Sequence, residues 1–169
     1  MCEAKKKNCQ MKTIMFIFLV CFSAFIFAET ADHVLIVKSK KMLYLEKNGK
    51  VFASYPVVFG SNPKGHKEKK GDGRTPEGRY TIDKKNENVG YYKPLHISYP
   101  NEKDIVAAKA KGVDPGGRIY IHGQKNGYGW AERVTQAKDW TKGCIALTNK
   151  DMKKVWEAVK AGTPIEIKP

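Results

Sequence analysis

The sequence predicts a small, β-rich domain with two helices. Three observations carry that prediction: short runs of β-branched and aromatic residues recur from His33 onward, turn signals separate them, and only two stretches show helical spacing. Residues 33–37 and 42–46 flank the polar link 38–41 and read as a hairpin. Asn48-Gly49 is a second turn signal, and 50–59 resumes the apolar pattern, giving three antiparallel strands in succession. From Gly60 to Gly78 the composition shifts to glycine, proline and charge, which predicts a long loop with a functional or mobile role. The lysine-rich run 67–70 inside it reads as a solvated face. Residues 79–84 and 95–98 are the next strands. The stretch 101–111 has helical spacing, with Ile105, Val106 and Ala108 turned inward and Gly112 as its stop. Gly116-Gly117 then leads into a strand over 118–122, followed by a Gly- and Trp-containing loop, 123–130. Thr148, with Asp151 three residues on, is a capping-box-like start to a helix running to about Lys160, whose buried stripe is Met152, Val155, Trp156 and Val159. Gly162 ends that helix, and 164–167 forms the last strand.

Residues 1–28 read as an export signal. Lys5, Lys6, Lys7 and Lys12 form a basic start, 14–27 is unbroken apolar sequence, and Ala28 is a cleavage residue. The apolar run is about 14 residues, shorter than the roughly 20 that a spanning helix needs; an uncleaved anchor is the alternative, because Ile26 is larger than the residue a cleavage site prefers. What remains is long enough for one domain with a real core and too short for two. The chain carries a net charge of +14, most of it outside the leader. For an exported protein that balance points to anionic polymers and carboxylates of a cell envelope rather than to nucleic acid.

Three of the four cysteines, Cys2, Cys9 and Cys21, fall in the leader, so Cys144 is alone in the expected mature domain. A lone thiol in an exported protein makes no internal disulfide, and packing or chemistry must explain it. It follows Gly143, and His122 sits between Ile121 and Gly123 at the end of an apolar strand. If the two segments are neighbours, His122 takes the thiol proton and Cys144 attacks a carbonyl to give a thioester. Backbone N–H groups around Lys142, Gly143 and Cys144 are the candidate oxyanion donors, and the Thr141 hydroxyl is placed to orient His122 or a substrate carboxylate. A thiol activated in this way is expected to react well below the free-thiol pKa of about 8.5. The remaining histidines, His33, His66 and His96, show no metal-ligand spacing with one another or with Cys144, so neither a metal nor another cofactor is expected. Tyr91, Tyr92 and Trp130 are aromatic candidates for a groove wall.

Thr141-Lys142-Gly143-Cys144-Ile145 resembles the Ser/Thr-x-Gly-Cys-apolar signature of the L,D-transpeptidase catalytic domain (YkuD-type). Ile121-His122-Gly123 is similar to that family's upstream histidine segment, and Thr75-Pro76-Glu77-Gly78 to its Thr-Pro-x-Gly segment. The resemblance spans residues 33–168. It implies a β-sandwich with the site in a groove under a loop, Cys144 as nucleophile, His122 as base, and the peptidoglycan stem tetrapeptide as substrate, cut before its terminal D-alanine. Gly123, Thr141, Lys142 and Gly143 are then expected to position substrate or oxyanion. The chain departs from the pattern in having Lys142 where His or Arg is frequent and Ala146 where Arg or Asn is frequent, and its stretch between His122 and Thr141 is slightly long. Arg118, Arg133, Lys142 or Asn149 is expected to take over recognition of the substrate carboxylate, with Trp130 as a further substrate-binding residue.

Two outcomes share the acyl-enzyme: attack by an amine gives transpeptidation, and attack by water gives an L,D-carboxypeptidase. A sortase-like site is disfavoured, since Gly143-Cys144 is not a Thr-Cys pair and no arginine follows Cys144. A non-catalytic wall-binding module is the third class, motivated by Lys142 and Ala146. The expected partners are stem peptides and anionic envelope polymers, with the protein acting as a monomer in the periplasm or cell envelope.

Overall fold

Alternation along the chain decides how the first strands stack. In β1 (His33–Val37) and β2 (Met42–Lys47) every second side chain is buried, and the antiparallel register sets Val34 opposite Leu45 and Ile36 opposite Leu43. β3 (Lys50–Pro56) continues the meander through the Asn48-Gly49 turn, with a bulge at Leu45/Glu46. The computed structural model describes residues 29–86 and 90–169; the expected leader, 1–28, lies outside the described residues.

The remaining strands are β4 (Gly78–Lys85), β5 (Leu95–Ile97), β6 (Ile119–His122), β7 (Ile145–Ala146) and β8 (Thr163–Lys168). They form one eight-stranded sheet in the order β3-β2-β1-β8-β4-β5-β6-β7. β8 is the keystone, parallel to β1 and antiparallel to β4. The chain leaving β3 does not continue along β2, as the expected strand to residue 59 required. It crosses over, and Val58 bridges Ala146 of β7, so the two edges of the sheet meet and the sheet is curled. The layers expected of a sandwich are thus supplied by a single sheet, whose inward residues form one apolar cluster with Met152 and Val155.

Among the described residues three α-helices decorate it: α1 (Glu102–Ala110), α2 (Glu132–Thr135) and α3 (Asn149–Ala158). α3 follows expectation at its start, with the Thr148 hydroxyl accepting from Asp151 N at 3.1 Å. Its stripe includes Ala158, while Trp156 is only half-buried. α1 corrects the sequence reading. Ile105 and Val106 are 49 % and 68 % exposed, and Asp104 and Ala108 face inward. The reason is polar: Asp104 closes a capping box with Asn101, accepts from Tyr80 Oη at 3.0 Å, and pairs with His66 Nε2 at 3.1 Å. The 3-10 turn 129–131 closes the expected loop 123–130, and α2 follows it where the sequence indicated no element. Among the described residues no helix is long and apolar enough to cross a membrane.

The long loop 60–78 is held by two buried lysines. Lys38 donates to Gly65 O at 2.8 Å and to Thr75 O at 3.3 Å, and pairs with Glu77 at 2.7 Å. Lys67, expected in solvent, is 3 % exposed, because it donates to Asp72 at 2.8 Å and to Lys69 O at 3.0 Å. Burial alone raises the Asp72 pKa, but Lys67 and the N–H groups of Arg74, Lys69 and Glu68 hold it down at about 2. The loop then presses on the Cys144 segment where no side chain fits. A Cβ on Gly60 would lie 2.0 Å from Gly73 O, and one on Gly143 would lie 2.6 Å from Arg74 O.

Gly60→Ala is therefore expected to destabilise the fold by about 3 kcal/mol through overpacking. Gly49→Ala has open space and pays only for its positive φ of 72°, a cost of about 1 kcal/mol. Urea denaturation of both variants checks the difference; equal losses would refute the packing argument.

Candidate active site

β6 and β7 run parallel, with Ile121 opposite Ile145 and His122 opposite Ala146. Side chains alternate along strands, so Cys144, two residues before Ala146, falls on the same sheet face as His122. Leu147 N donates to His122 O at 2.9 Å, which fixes that register at the open end of the strand. The turn carrying the cysteine is built by Thr141: its hydroxyl donates to Cys144 O at 2.7 Å and accepts from Gly143 N at 3.1 Å. The Gly143 N–H is therefore already committed. What the glycine supplies is a φ of +123° and the missing Cβ that lets the Arg74 carbonyl approach.

The thiol is partly exposed and unpaired with any other sulfur. It donates toward Arg118 O at 3.7 Å. Arg118 stands before β6 rather than in it, at φ +59°, and this left-handed geometry, uncommon for a non-glycine residue, accompanies the turn of its carbonyl to the thiol. Burial pushes the Cys144 pKa up, opposed by the Tyr120 backbone N–H and by the charges of Lys67 and Arg118.

His122 is almost completely buried. Its Nδ1 lies 2.6 Å from Gly123 O. A carbonyl only accepts, so Nδ1 carries the hydrogen and Nε2 keeps a free lone pair. Tyr91 stacks on the imidazole with centroids 4.2 Å apart, and Trp140 meets it edge-on at 6.1 Å. Burial lowers the His122 pKa to about 4, although the Gly123 bond favours the cation. Burial also raises the Tyr91 pKa, and the Cys144 charge adds to that rise, so Tyr91 faces both members of the pair. Both shifts favour the uncharged forms of the thiol and the imidazole. Against the expectation of a thiol titrating below the free value, burial outweighs the nearby cations and the shift is upward.

The other expected residues divide into two groups. Gly123 is packed, since a Cβ there would lie 2.5 Å from Asn149 Oδ1. Asn149 is engaged in holding this loop: its Oδ1 accepts from Gln124 N at 2.8 Å, and its N–H is taken by the Glu132 carboxylate. Arg118, Lys142, Trp130 and Arg133 present exposed side chains. Trp140 and Lys67 were not singled out from sequence as site residues. Trp140, adjacent to Thr141, carried a usable signal in that adjacency, whereas nothing local marked Lys67. A cavity of about 830 Å³ lies elsewhere, and neither Cys144 nor His122 lines it. Among its walls Glu77 is already paired with Lys38, Asp104 with His66 and Glu166 with Arg79.

A curled, mainly β sheet thus presents a thiol and an imidazole on one face. The family model of the L,D-transpeptidase catalytic domain (YkuD) matches residues 31–167, and the chain belongs to that family. No curated protein matches the chain. Among solved structures, it is similar to the helical cell shape determining protein Pgp2 from Campylobacter jejuni, at 28 % identity and a TM-score of 0.60 over 80 % of this chain and 46 % of that one. An L,D-transpeptidase from Xylanimonas cellulosilytica aligns at 15 % identity and a TM-score of 0.52, over 82 % and 61 %. Bdellovibrio bacteriovorus Bd1075 aligns at 22 % and 0.54, over 79 % and 46 %. The last two likenesses concern the fold alone. The chain spans about half the length of Pgp2.

Three outcomes are expected from the site. Alkylation of Cys144 by iodoacetamide rises with pH through a midpoint above the ~8.5 of a free thiol; a rate plateau below neutral pH would show a preformed thiolate instead. His122 binds a proton less readily folded than unfolded, so its contribution to stability is complete above the ordinary value of 6.5 and is lost as pH falls toward about 4. Urea melts across that window are expected to fall less steeply for His122→Gln than for the native protein. Thr141→Val removes both hydrogen bonds of the cysteine turn and is expected to cost about 2 kcal/mol, read in the same melts.

Proposed function

We propose that the protein is an exported L,D-transpeptidase that acts on peptidoglycan stem tetrapeptides through a Cys144 thioester. The observation that carries this reading is the parallel β6–β7 register, which sets Cys144 and His122 on one face with Nε2 of the imidazole free. Membership of the L,D-transpeptidase family supports it, as does the 28 % identity to a helical cell shape determining protein. The net charge of +14 suits an envelope rich in anionic polymers.

In this reading Cys144 Sγ attacks the carbonyl before the terminal D-alanine as its proton passes to His122 Nε2. With the uncharged forms of both groups favoured, proton transfer is concurrent with attack rather than prior to it. With Gly143 N–H held by Thr141, the oxyanion donors are the N–H groups of Lys142 and Cys144. His122 returns the proton to the leaving D-alanine amine, leaving a thioester. An acceptor amine then attacks the thioester and loses its proton through His122, and the thiol is restored. Arg118, Lys142 and Arg133 are the exposed cations available to a substrate carboxylate.

The test is incubation with disaccharide-tetrapeptide, read by mass spectrometry. Cross-linked dimers and free D-alanine are expected from the native protein and none from Cys144→Ala. His122→Ala is expected to slow turnover by about 10²–10⁴-fold. Since His122 must be neutral to accept the proton, kcat/KM is expected to hold through pH 5 and to fall only as pH approaches about 4. Tripeptide without dimers would assign the protein as an L,D-carboxypeptidase, and no product from either sample would leave the wall-binding module.

A further inference from the structure

The segment that follows His122 displays side chains that the fold does not use. Tyr128, Trp130 and Val134 are 49 %, 80 % and 66 % exposed. Yet the backbone beneath them is firmly tied down. Tyr128 N donates to Lys125 O at 2.9 Å and Ala131 N to Tyr128 O at 3.0 Å. The Thr135 hydroxyl donates to Gln124 Oε1 at 2.7 Å, and the buried Gln124 amide donates to Leu147 O at 2.9 Å. The two rings lie 6.2 Å apart at 32°, and Lys125 Nζ sits 5.3 Å over the Tyr128 ring. The group is continuous with the site, because Lys125 forms a β-bridge with Tyr91, whose ring stacks on His122.

We propose that Tyr128 and Trp130 form a saccharide platform that holds pyranose rings of the glycan bearing the stem peptide. The proposal rests on the peptidoglycan reading above and extends it from the peptide to the sugar. One face of a pyranose is a patch of C–H groups, weakly positive and apolar, which fits the negative face of an aromatic ring. Its hydroxyl and acetamido edges need donors and acceptors; Lys125, over the Tyr128 ring, and the exposed Asn126 and Arg133 of the same stretch of chain carry them. A lipid surface fits less well. The apolar group is three side chains interrupted by Glu132 and Arg133, whereas interfacial insertion requires a continuous apolar face. Fixing the glycan at this point would aim the attached stem peptide along the chain path that leads back to His122.

Two readouts test the platform. Titration with the N-acetylglucosamine tetramer, followed by tryptophan fluorescence, is expected to give a saturable change in the native protein and none in Trp130→Ala. Because Trp130 is so exposed, the variant is expected to fold, and Trp130→Tyr is expected to restore binding. In catalysis, the ratio of kcat/KM for disaccharide-tetrapeptide over free tetrapeptide is expected to fall about tenfold in Trp130→Ala, the loss of one stacking anchor. No tetramer binding by the native protein overturns the platform, and so does an unchanged ratio. Trp130-dependent binding to anionic phospholipid vesicles without tetramer binding would replace it with a membrane contact. If neither peptide substrate is turned over, the transpeptidase reading fails, and the titration still decides the platform.

Discussion

Three stretches of backbone meet at Gly60, Gly73 and Gly143 with no room for a side chain between them. The rest of the site depends on that approach. It lets the chain leaving β3 reach β7, where Val58 bridges Ala146 and Gly60 bridges Thr141. The same approach curls the sheet so that its two edges meet. It also backs the cysteine turn with the Arg74 carbonyl, while Thr141 ties the turn from within. The cysteine is thus carried by a braced corner of the sheet, and in the proposed reaction a nucleophile so braced would lose little freedom on lining up with a carbonyl.

The electrostatics follow from the same closure. Tyr91 and Trp140 wall in His122, and the low polarity they impose disfavours the imidazolium. Cys144 meets the same penalty as a thiolate, tempered by Lys67, Arg118 and the Tyr120 N–H. A site that favours the uncharged forms of both groups avoids a buried ion pair and its desolvation cost. In the proposed reaction the charge would appear only when a substrate carbonyl arrives. Lys67 also bears on how composition is read. A lysine that sequence places in solvent is here a buried clamp on Asp72, so the excess of positive charge describes the surface less fully than its sum implies.

Legibility in the sequence tracked how local the cause was. The β1–β2 hairpin, the Asn48-Gly49 turn and the Thr148–Asp151 cap are set by neighbours within a few residues, and they stand where the sequence indicated. α1 was recognisable as a helix, but its inward face was not, because a carboxylate at Asp104 is buried by partners on distant segments, Tyr80 and His66. α2 is four residues long and has no buried residue, so it left no periodic trace. Asn149 looks like a free polar side chain at a helix start, and only the fold shows it engaged with Gln124 and Glu132.

By itself the sequence determined the chemistry available: one thiol among residues 29–169, a histidine closing an apolar strand, glycines beside each, and a family signature linking them. Those are properties of residue type and short spacing, which survive without coordinates. Tertiary structure alone decided that β6 and β7 pair in parallel, that the Gly143 N–H is committed to Thr141, and that burial disfavours the charged forms of both Cys144 and His122. Register and burial are sums over segments far apart in the chain. A protonation state depends on what excludes water from a group, and here the excluding residues, Tyr91 and Trp140, come from opposite sides of the histidine in sequence.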